Sequence, residues 1–363
     1  MKITVLCKVV DNFGDVGVMF RLVKQMQLVA TKPLEINIVI DDLISFNKIY
    51  NKINPQKDFQ QIDGLNIYNW KSEELCHSKF IKNDGEKMSV ILECFQCGRP
   101  DWMEKILFDE KLNRTVQVIM IDYLTAEKYA EDFHCLESLT RSKKVQKINF
   151  MPGFTEKTGG LIIDKEWEKL PEYNQRGKVL LFTYERDWTG LAGALKSFGR
   201  EVCVAQGRGL KSFETAWGND NGLIELPYLN QNEWDKMMKE CSVLFIRGEE
   251  SMSRACLSGI PFVWHAYPQS DEYQLVKVNA LLERMSRHFK NEDFEIIKEV
   301  WLCFNSPEKE VGVAAMMTAC SKFLNKADSL VYGFRDFALD LRKNGDLVAN
   351  LMTLIEKKYI IEE

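Results

Sequence analysis

The 363-residue chain is predicted to fold as two doubly wound α/β domains in tandem. Short β-branched runs alternate with amphipathic stretches, the rhythm of a parallel sheet covered on both faces. That rhythm falters once, through the polar stretches 155–160 and 171–177, and restarts with a new strand at Lys178. At roughly 100 to 200 residues per domain the length accommodates two, each with its own core.

In the first half the strands are expected at residues 3–10, 36–41, 89–94, 116–122 and 147–150. The intervening pattern over 16–30 places Val16, Met19, Phe20, Val23 and Met26 on one helical face. The second half offers a strand at 178–184, a helix at 188–198, strands at 201–205 and 223–226, a helix at 232–240, and strands at 242–246 and 261–265. From Asp271 onward the pattern is helical, over 273–289, 292–304, 312–324, 329–343 and 346–358. The expected domains are residues 1–174 and 175–345.

Composition removes several functions. Hydrophobic residues make up 45% and charged residues 28%, as in a globular protein. With 48 Lys+Arg against 53 Asp+Glu, the chain lacks the basic surplus of a protein held to DNA or RNA by phosphate neutralisation. Among the ten cysteines only Cys94 and Cys97 form a close pair, and no second pair completes a zinc site. The thiols of Cys7, Cys203 and Cys303 lie in apolar runs, which fits reduced cysteines in a cytoplasmic protein. Lys8 interrupts the first apolar run, which reads as a strand and not a signal peptide, and no run approaches the roughly 18 apolar residues of a membrane span.

Ligands in open α/β sheets bind at the carboxyl ends of the strands, which two tandem domains are expected to present across a cleft. The first such loop, Asp11-Asn12-Phe13-Gly14-Asp15, is neither G-x-G-x-x-G nor a P-loop, and its two aspartates would repel a pyrophosphate. They suit a cationic or proton-donating substrate, one as base and the other orienting it; helix capping by Asp15 is the alternative. In the second domain Arg247-Gly248-Glu249-Glu250-Ser251 precedes a helix, so backbone N–H groups, Arg247 and Ser251 can meet a phosphate, or the segment is a plain capping box. A third cluster is aromatic: Phe182 and Tyr184 after one strand, Tyr228 with Gln231 and Trp234 after another. These rings either sandwich a base or pack in the core. The four histidines show no metal spacing, His265, the one at a strand terminus, reads as structural, and G-x-S-x-G and D-x-D are absent.

DNFGDVGV at 11–18, ECFQC at 93–97, IDYLTAEKYAEDFH at 121–134, FMPGFTEKTGGL at 150–161, FTYE at 182–185, RGEES at 247–251 and PFVWHAYPQSDEYQ at 261–274 run through most of the chain. Together they closely resemble the elongation factor P arginine rhamnosyltransferase family, EarP. The resemblance implies a GT-B architecture of two Rossmann-like domains, with a carboxyl-terminal helix (346–363) packing back on the first. It implies an inverting, metal-independent transfer of L-rhamnose from dTDP-β-L-rhamnose to an arginine of elongation factor P, with no cofactor. Donor contacts then fall on Phe182, Tyr184, Tyr228, Gln231, Trp234, Arg247, Gly248, Glu249, Glu250 and Ser251. Asn12, Phe13 and Gly14 join Asp11 and Asp15 on the acceptor side. Tyr228 and Trp234 stand where the family is expected to carry phenylalanine, and Glu250 where it carries aspartate. The roles expected are Asp15 as general base, Asp11 as orienter, Glu249 positioning donor or acceptor, and Arg247 stabilising the departing dTDP. The basic run Arg141–Lys147 is a candidate local patch for an acidic protein partner. The competing readings are a GT-B enzyme with another acceptor, such as lipopolysaccharide or a small aglycone, and a non-catalytic nucleotide-binding protein.

Overall fold

A computed structural model describes residues 1–10, 13–81 and 88–362. They form two compact units: residues 1–124, 128–164 and 344–363 in the first, 125–127 and 165–343 in the second.

The first unit contains β1 (Lys2–Cys7), α1 (Phe13–Val29), β2 (Glu35–Ile40), α2 (Leu43–Ile49), β3 (Phe59–Ile62), β4 (Leu65–Asn69) and α3 (Glu73–Ile81). It continues with β5 (Met88–Cys94), α4 (Asp101–Leu107), β6 (Thr115–Ile121), α5 (Tyr129–Phe133), β7 (Glu137–Ser138) and β8 (Val145–Phe150). The strands form one sheet in the order β3-β4-β2-β1-β5-β6-β8-β7, parallel except for the outer strands β3 and β7. β1 is central and buried on both faces, with Ile3, Val5 and Cys7 on one and Thr4 and Leu6 on the other. On one side α1 buries Val16, Met19, Phe20, Val23 and Met26, the predicted stripe, against Ile3, Val5 and Ile38. On the other, Leu6, Val39 and Ile91 pack with Trp102, Met103 and Leu107 of α4. Each fully buried large side chain contributes about 1.5–3 kcal/mol. The hairpin β3–β4 is absent from the expectations, although its turn, Asp63-Gly64 with φ +48° and +78°, is the two-residue pair that a tight hairpin favours.

The second unit contains β9 (Lys178–Leu181), α6 (Thr189–Phe198), β10 (Val202–Val204), α7 (Leu210–Trp217), β11 (Leu223–Glu225), α8 (Gln231–Glu240), β12 (Cys241–Arg247), α9 (Glu249–Ser258) and β13 (Phe262–His265). Three long helices follow, α10 (Tyr273–Ser286), α11 (Asn291–Asn305) and α12 (Val313–Arg342). The sheet is parallel, in the order β11-β10-β9-β12-β13. The two helices expected at 312–324 and 329–343 are one. The polar run Asn325, Lys326, Asp328, Ser329 is only the exposed face of α12, while Leu324, Ala327, Leu330 and Val331 stay buried at helical spacing.

The division between units falls at Asp164/Lys165, earlier than the expected 174/175. Trp167 explains the difference: it is fully buried in the second unit, its Nε1 donates to Asp235 at 2.9 Å, and its carbonyl accepts from Arg342 at 2.7 Å. The last helix, α13 (Leu347–Glu362), belongs to the first unit, where Leu347, Val348, Leu351, Met352 and Ile355 complete the core beside α1. Asp346 seats it, accepting from Ile163 N at 2.7 Å and Ala349 N at 3.0 Å.

Helices α6 and α12 approach closely through Gly190, where an added Cβ would lie 2.5 Å from the Val313 carbonyl oxygen. Alanine would gain about 1 kcal/mol of helix propensity, but a clash with backbone has no side chain to give way, and overpacking costs about 1–3 kcal/mol. Gly190→Ala is therefore expected to lower the urea unfolding midpoint. Gly193→Ala, whose Cβ would meet only the flexible end of Met317 at 3.3 Å, is expected to leave it unchanged or raise it.

Candidate functional site

In the first sheet β1 and β5 are neighbours, and the chain runs outward from them in opposite directions, to β2 and β4 on one side and to β6 and β8 on the other. Such a reversal opens a crevice at the carboxyl ends of the two strands. Asp15 lies there, in the first turn of α1 and 3% exposed. Its Oδ2 accepts the N–H of Val10 at 2.8 Å, and Asp41 at the end of β2 accepts that of Val9 at 2.8 Å. Asp15 is thus not an N-cap; it lies inside the helix and reaches back to the loop, where the helix N-terminus favours its charge. Gly14 lies in the same turn. Asp11 and Asn12 are outside the described residues, as is the side chain of Phe13.

Three thiols share this edge. Cys7 and Cys94 pair in register across β1 and β5, and the Cys97 thiol donates to the Leu6 carbonyl at 3.4 Å. Burial pushes Cys7 and Cys94 well above the ordinary thiol range, helped by Cys94 in the one case and Cys97 in the other and in both by the Asp15 carboxylate, and burial pushes Cys97 up to about 12. They remain protonated, so none competes as a nucleophile beside Asp15. Past β5 the backbone turns through Phe95 and Gln96 at φ +57° and +55°, a conformation costing non-glycine residues about 1–2 kcal/mol each.

In the second sheet the reversal lies between β9 and β12. Arg247 ends β12 there, its guanidinium 4.3 Å from the ring centre of Phe182 and 4.6 Å from that of Tyr184. Each such contact contributes about 0.5–2 kcal/mol. The Arg247 Nε is buried without an acceptor among the described residues, and so is the indole Nε1 of Trp234, whose ring meets Phe182 edge-on at 5.1 Å. Gly207 makes room: a Cβ there would come 3.1 Å from Arg247 Nη2.

Tyr184 is held by His265 and Tyr267, at 5.2 and 5.4 Å between ring centres, and its N–H donates to His265 Nδ1 at 3.2 Å. Burial, then the nearby charges of Arg186 and Arg247, bring the His265 pKa down to about 3. His265 is therefore a neutral acceptor that fixes Tyr184 without adding charge. His265, Tyr267, Gly207 and Asp41 are missing from the expected site; of these His265 and Asp41 each end an expected strand, and that position is the signal the sequence carries.

Gly248, at φ +74°, turns the chain into α9, which has no side-chain cap. The first-turn N–H groups of a helix have no intrahelical acceptor and carry its positive end, so they form an anion-binding terminus. Ser251 is buried in that turn; Glu249 and Glu250 are half-buried, and Glu250 pairs with Arg254 at 3.8 Å. Gln231 opens α8, and Tyr228, 65% exposed, lies on the connection leading to it. The structure thus joins Phe182, Tyr184, Trp234 and Arg247 in one contact cluster, with Gly248–Ser251 running on from it. Among the described residues no group of three or more His, Cys, Asp or Glu is arranged to hold a metal ion.

Residues 3–356 match the family model described as Elongation-Factor P (EF-P) rhamnosyltransferase EarP. The chain is 27% identical to a protein-arginine rhamnosyltransferase of Shewanella oneidensis over 97% of both chains. It is 27% identical to that of Pseudomonas aeruginosa over 83% of this chain and 86% of the relative. Among solved structures it resembles one described as the structural basis for EarP-mediated arginine glycosylation of translation elongation factor EF-P, with a TM-score of 0.59 at 16% identity over 98% of this chain and 99% of the other. It also resembles Phytolacca americana UGT2 complexed with UDP-2fluoro-glucose and pterostilbene, with a TM-score of 0.55 at 9% identity over 99% of each chain. These likenesses show the fold, the GT-B type of glycosyltransferase. The chain belongs to the EarP family of elongation factor P rhamnosyltransferases.

Proposed function

We propose that the protein transfers L-rhamnose from dTDP-β-L-rhamnose to one arginine of elongation factor P, with inversion and without a metal or other cofactor. Family membership supports the reaction class. The geometric observation that carries the donor half is Arg247, a cation held between two rings at the strand-order reversal of the second sheet, immediately before an uncapped helix. In this reading Arg247, the first-turn N–H groups of α9 and Ser251 bind the diphosphate, and Phe182, Tyr184, Tyr228, Gln231 and Trp234 bind the nucleoside end. Glu249 and Glu250, beside the same turn, position the sugar.

The acceptor half falls on the first unit. A guanidinium is a poor nucleophile, because its pKa exceeds about 12 and its lone pairs are delocalised. A carboxylate that localises the charge and takes a proton makes one nitrogen reactive. Asp15 fills that role: as the nitrogen bonds to the anomeric carbon, its proton passes to Asp15 and the carbon–oxygen bond to dTDP breaks. The electron pair leaves on the diphosphate, where Arg247 and the α9 terminus stabilise it. Asp11, outside the described residues, is assigned to orient the guanidinium. Among the described residues no helix is long and apolar enough to cross a membrane, and the site of action is proposed to be the cytoplasm.

Incubated with elongation factor P and dTDP-rhamnose, the wild type is expected to add the mass of one deoxyhexose to an acceptor arginine. Asp15→Asn keeps an oxygen for the Val10 N–H, so the variant is expected to fold and bind donor as the wild type does, yet lose transfer by a factor of about 10³ or more; retained turnover would remove Asp15 as the base. Arg247→Ala is expected to weaken dTDP-rhamnose binding in calorimetry by about 10- to 100-fold, or about 1.4–2.8 kcal/mol. Dialysis against a chelator is expected to leave the transfer rate unchanged, and a loss restored by a divalent cation would contradict the assignment of leaving-group stabilisation to Arg247.

A further inference from the structure

The loop after β5 holds a side-chain pair that the proposed mechanism does not use. Phe95 and Gln96 both take left-handed backbone conformations, whereas Gly98, two residues on, does so at φ +69° without strain. A segment that only had to turn would be relieved by glycine at all three positions, so what strain preserves here is side chains. Phe95 anchors the loop: its N–H donates to the Ile121 carbonyl at 2.7 Å and its ring stacks on Tyr123 at 5.0 Å. Gln96 is exposed, and its amide donates to both carboxylate oxygens of Asp122 at 3.1 Å. The N–H of Tyr123 donates a third hydrogen bond to the carboxylate, to Oδ1 at 2.8 Å.

Both donor groups are neutral, and no Lys or Arg among the described residues pairs with Asp122. A carboxylate has about four acceptor positions, so one held this way keeps lone pairs, and its full charge, for a further donor. Asp122 follows β6, which neighbours β5, which neighbours β1, so it lies on the same sheet edge as Asp15. Two strand spacings separate β6 from β1, about 10 Å. One guanidinium does not span that distance, but a polypeptide carrying its target arginine to Asp15 does.

We infer that Asp122, oriented by Gln96 on the strained loop after β5, is an acceptor-docking carboxylate that binds a cationic or N–H group of the acceptor protein flanking the target arginine. Gln96 is a positioning residue that acts through Asp122. The pair gives the enzyme a second hold on a polypeptide and so selects protein over free arginine. The inference rests on the proposed protein acceptor.

Calorimetric titration of elongation factor P into the enzyme tests it, with Asp122→Asn and Gln96→Gly compared to the wild type and dTDP binding measured in parallel. Both variants are expected to bind elongation factor P at least tenfold more weakly and dTDP unchanged. Gln96→Gly relieves the positive φ, so its melting temperature should equal or exceed that of the wild type, which separates lost docking from lost folding. Wild-type affinity for elongation factor P in either variant would overturn the inference. The readout is binding, so an enzyme that binds elongation factor P but never modifies it would contradict the proposed activity while the affinities still decide this point.

Discussion

A parallel sheet covered on both faces leaves polar chemistry one place to gather, the carboxyl ends of its strands. Both units obey this constraint. β1 and β9 are buried along almost their whole length, and the groups that can act sit where those strands end. Strand order then selects the position along the edge, since only where the chain reverses direction do two connections part and leave room for a ligand. In the first unit that is between β1 and β5, in the second between β9 and β12.

The two edges differ in sign. The first gathers carboxylates, with Asp15 and Asp41 gripping consecutive N–H groups of the β1–α1 loop and Asp122 farther along, and the thiols between them remain neutral. The second offers an anion Arg247, lying on two rings, and the uncapped start of α9, with Glu249 and Glu250 in the same turn, while His265 is kept neutral by burial and by the arginines near it. A carboxylate edge suits a cationic acceptor, and an arginine beside a helix N-terminus suits an anionic donor.

Much of this was legible in the sequence because the physics involved is local. Strand periodicity, the α1 stripe and the loops bearing Asp15 and Arg247 each need only a short window of residues. The Asp63-Gly64 hairpin is equally local, but its strands of four and five residues are too short to stand out by periodicity. What stayed hidden depends on partners distant in sequence. Trp167 looks like part of a polar connection until Asp235 and Arg342 are seen to hold it, and the α12 run Asn325–Ser329 looks like a break until its buried face is known. In the sequence the rings of Phe182 and Tyr184 are either a base sandwich or core, and only the fold shows that both meet the Arg247 guanidinium. His265 looked structural by position; its part in orienting Tyr184 appears only once β9 and β13 are placed in one sheet.

At the centre of the account is a single displacement at the anomeric carbon, with Asp15 taking the proton of the attacking arginine nitrogen. One displacement inverts configuration, and two restore it. Nuclear magnetic resonance of the rhamnosylated acceptor made from dTDP-β-L-rhamnose reads this directly from the one-bond carbon–hydrogen coupling at the anomeric carbon. An α-linked rhamnosyl arginine is the predicted result. A β-linked product would require a covalent intermediate on the enzyme and would contradict the assignment of Asp15 as a base in a one-step transfer.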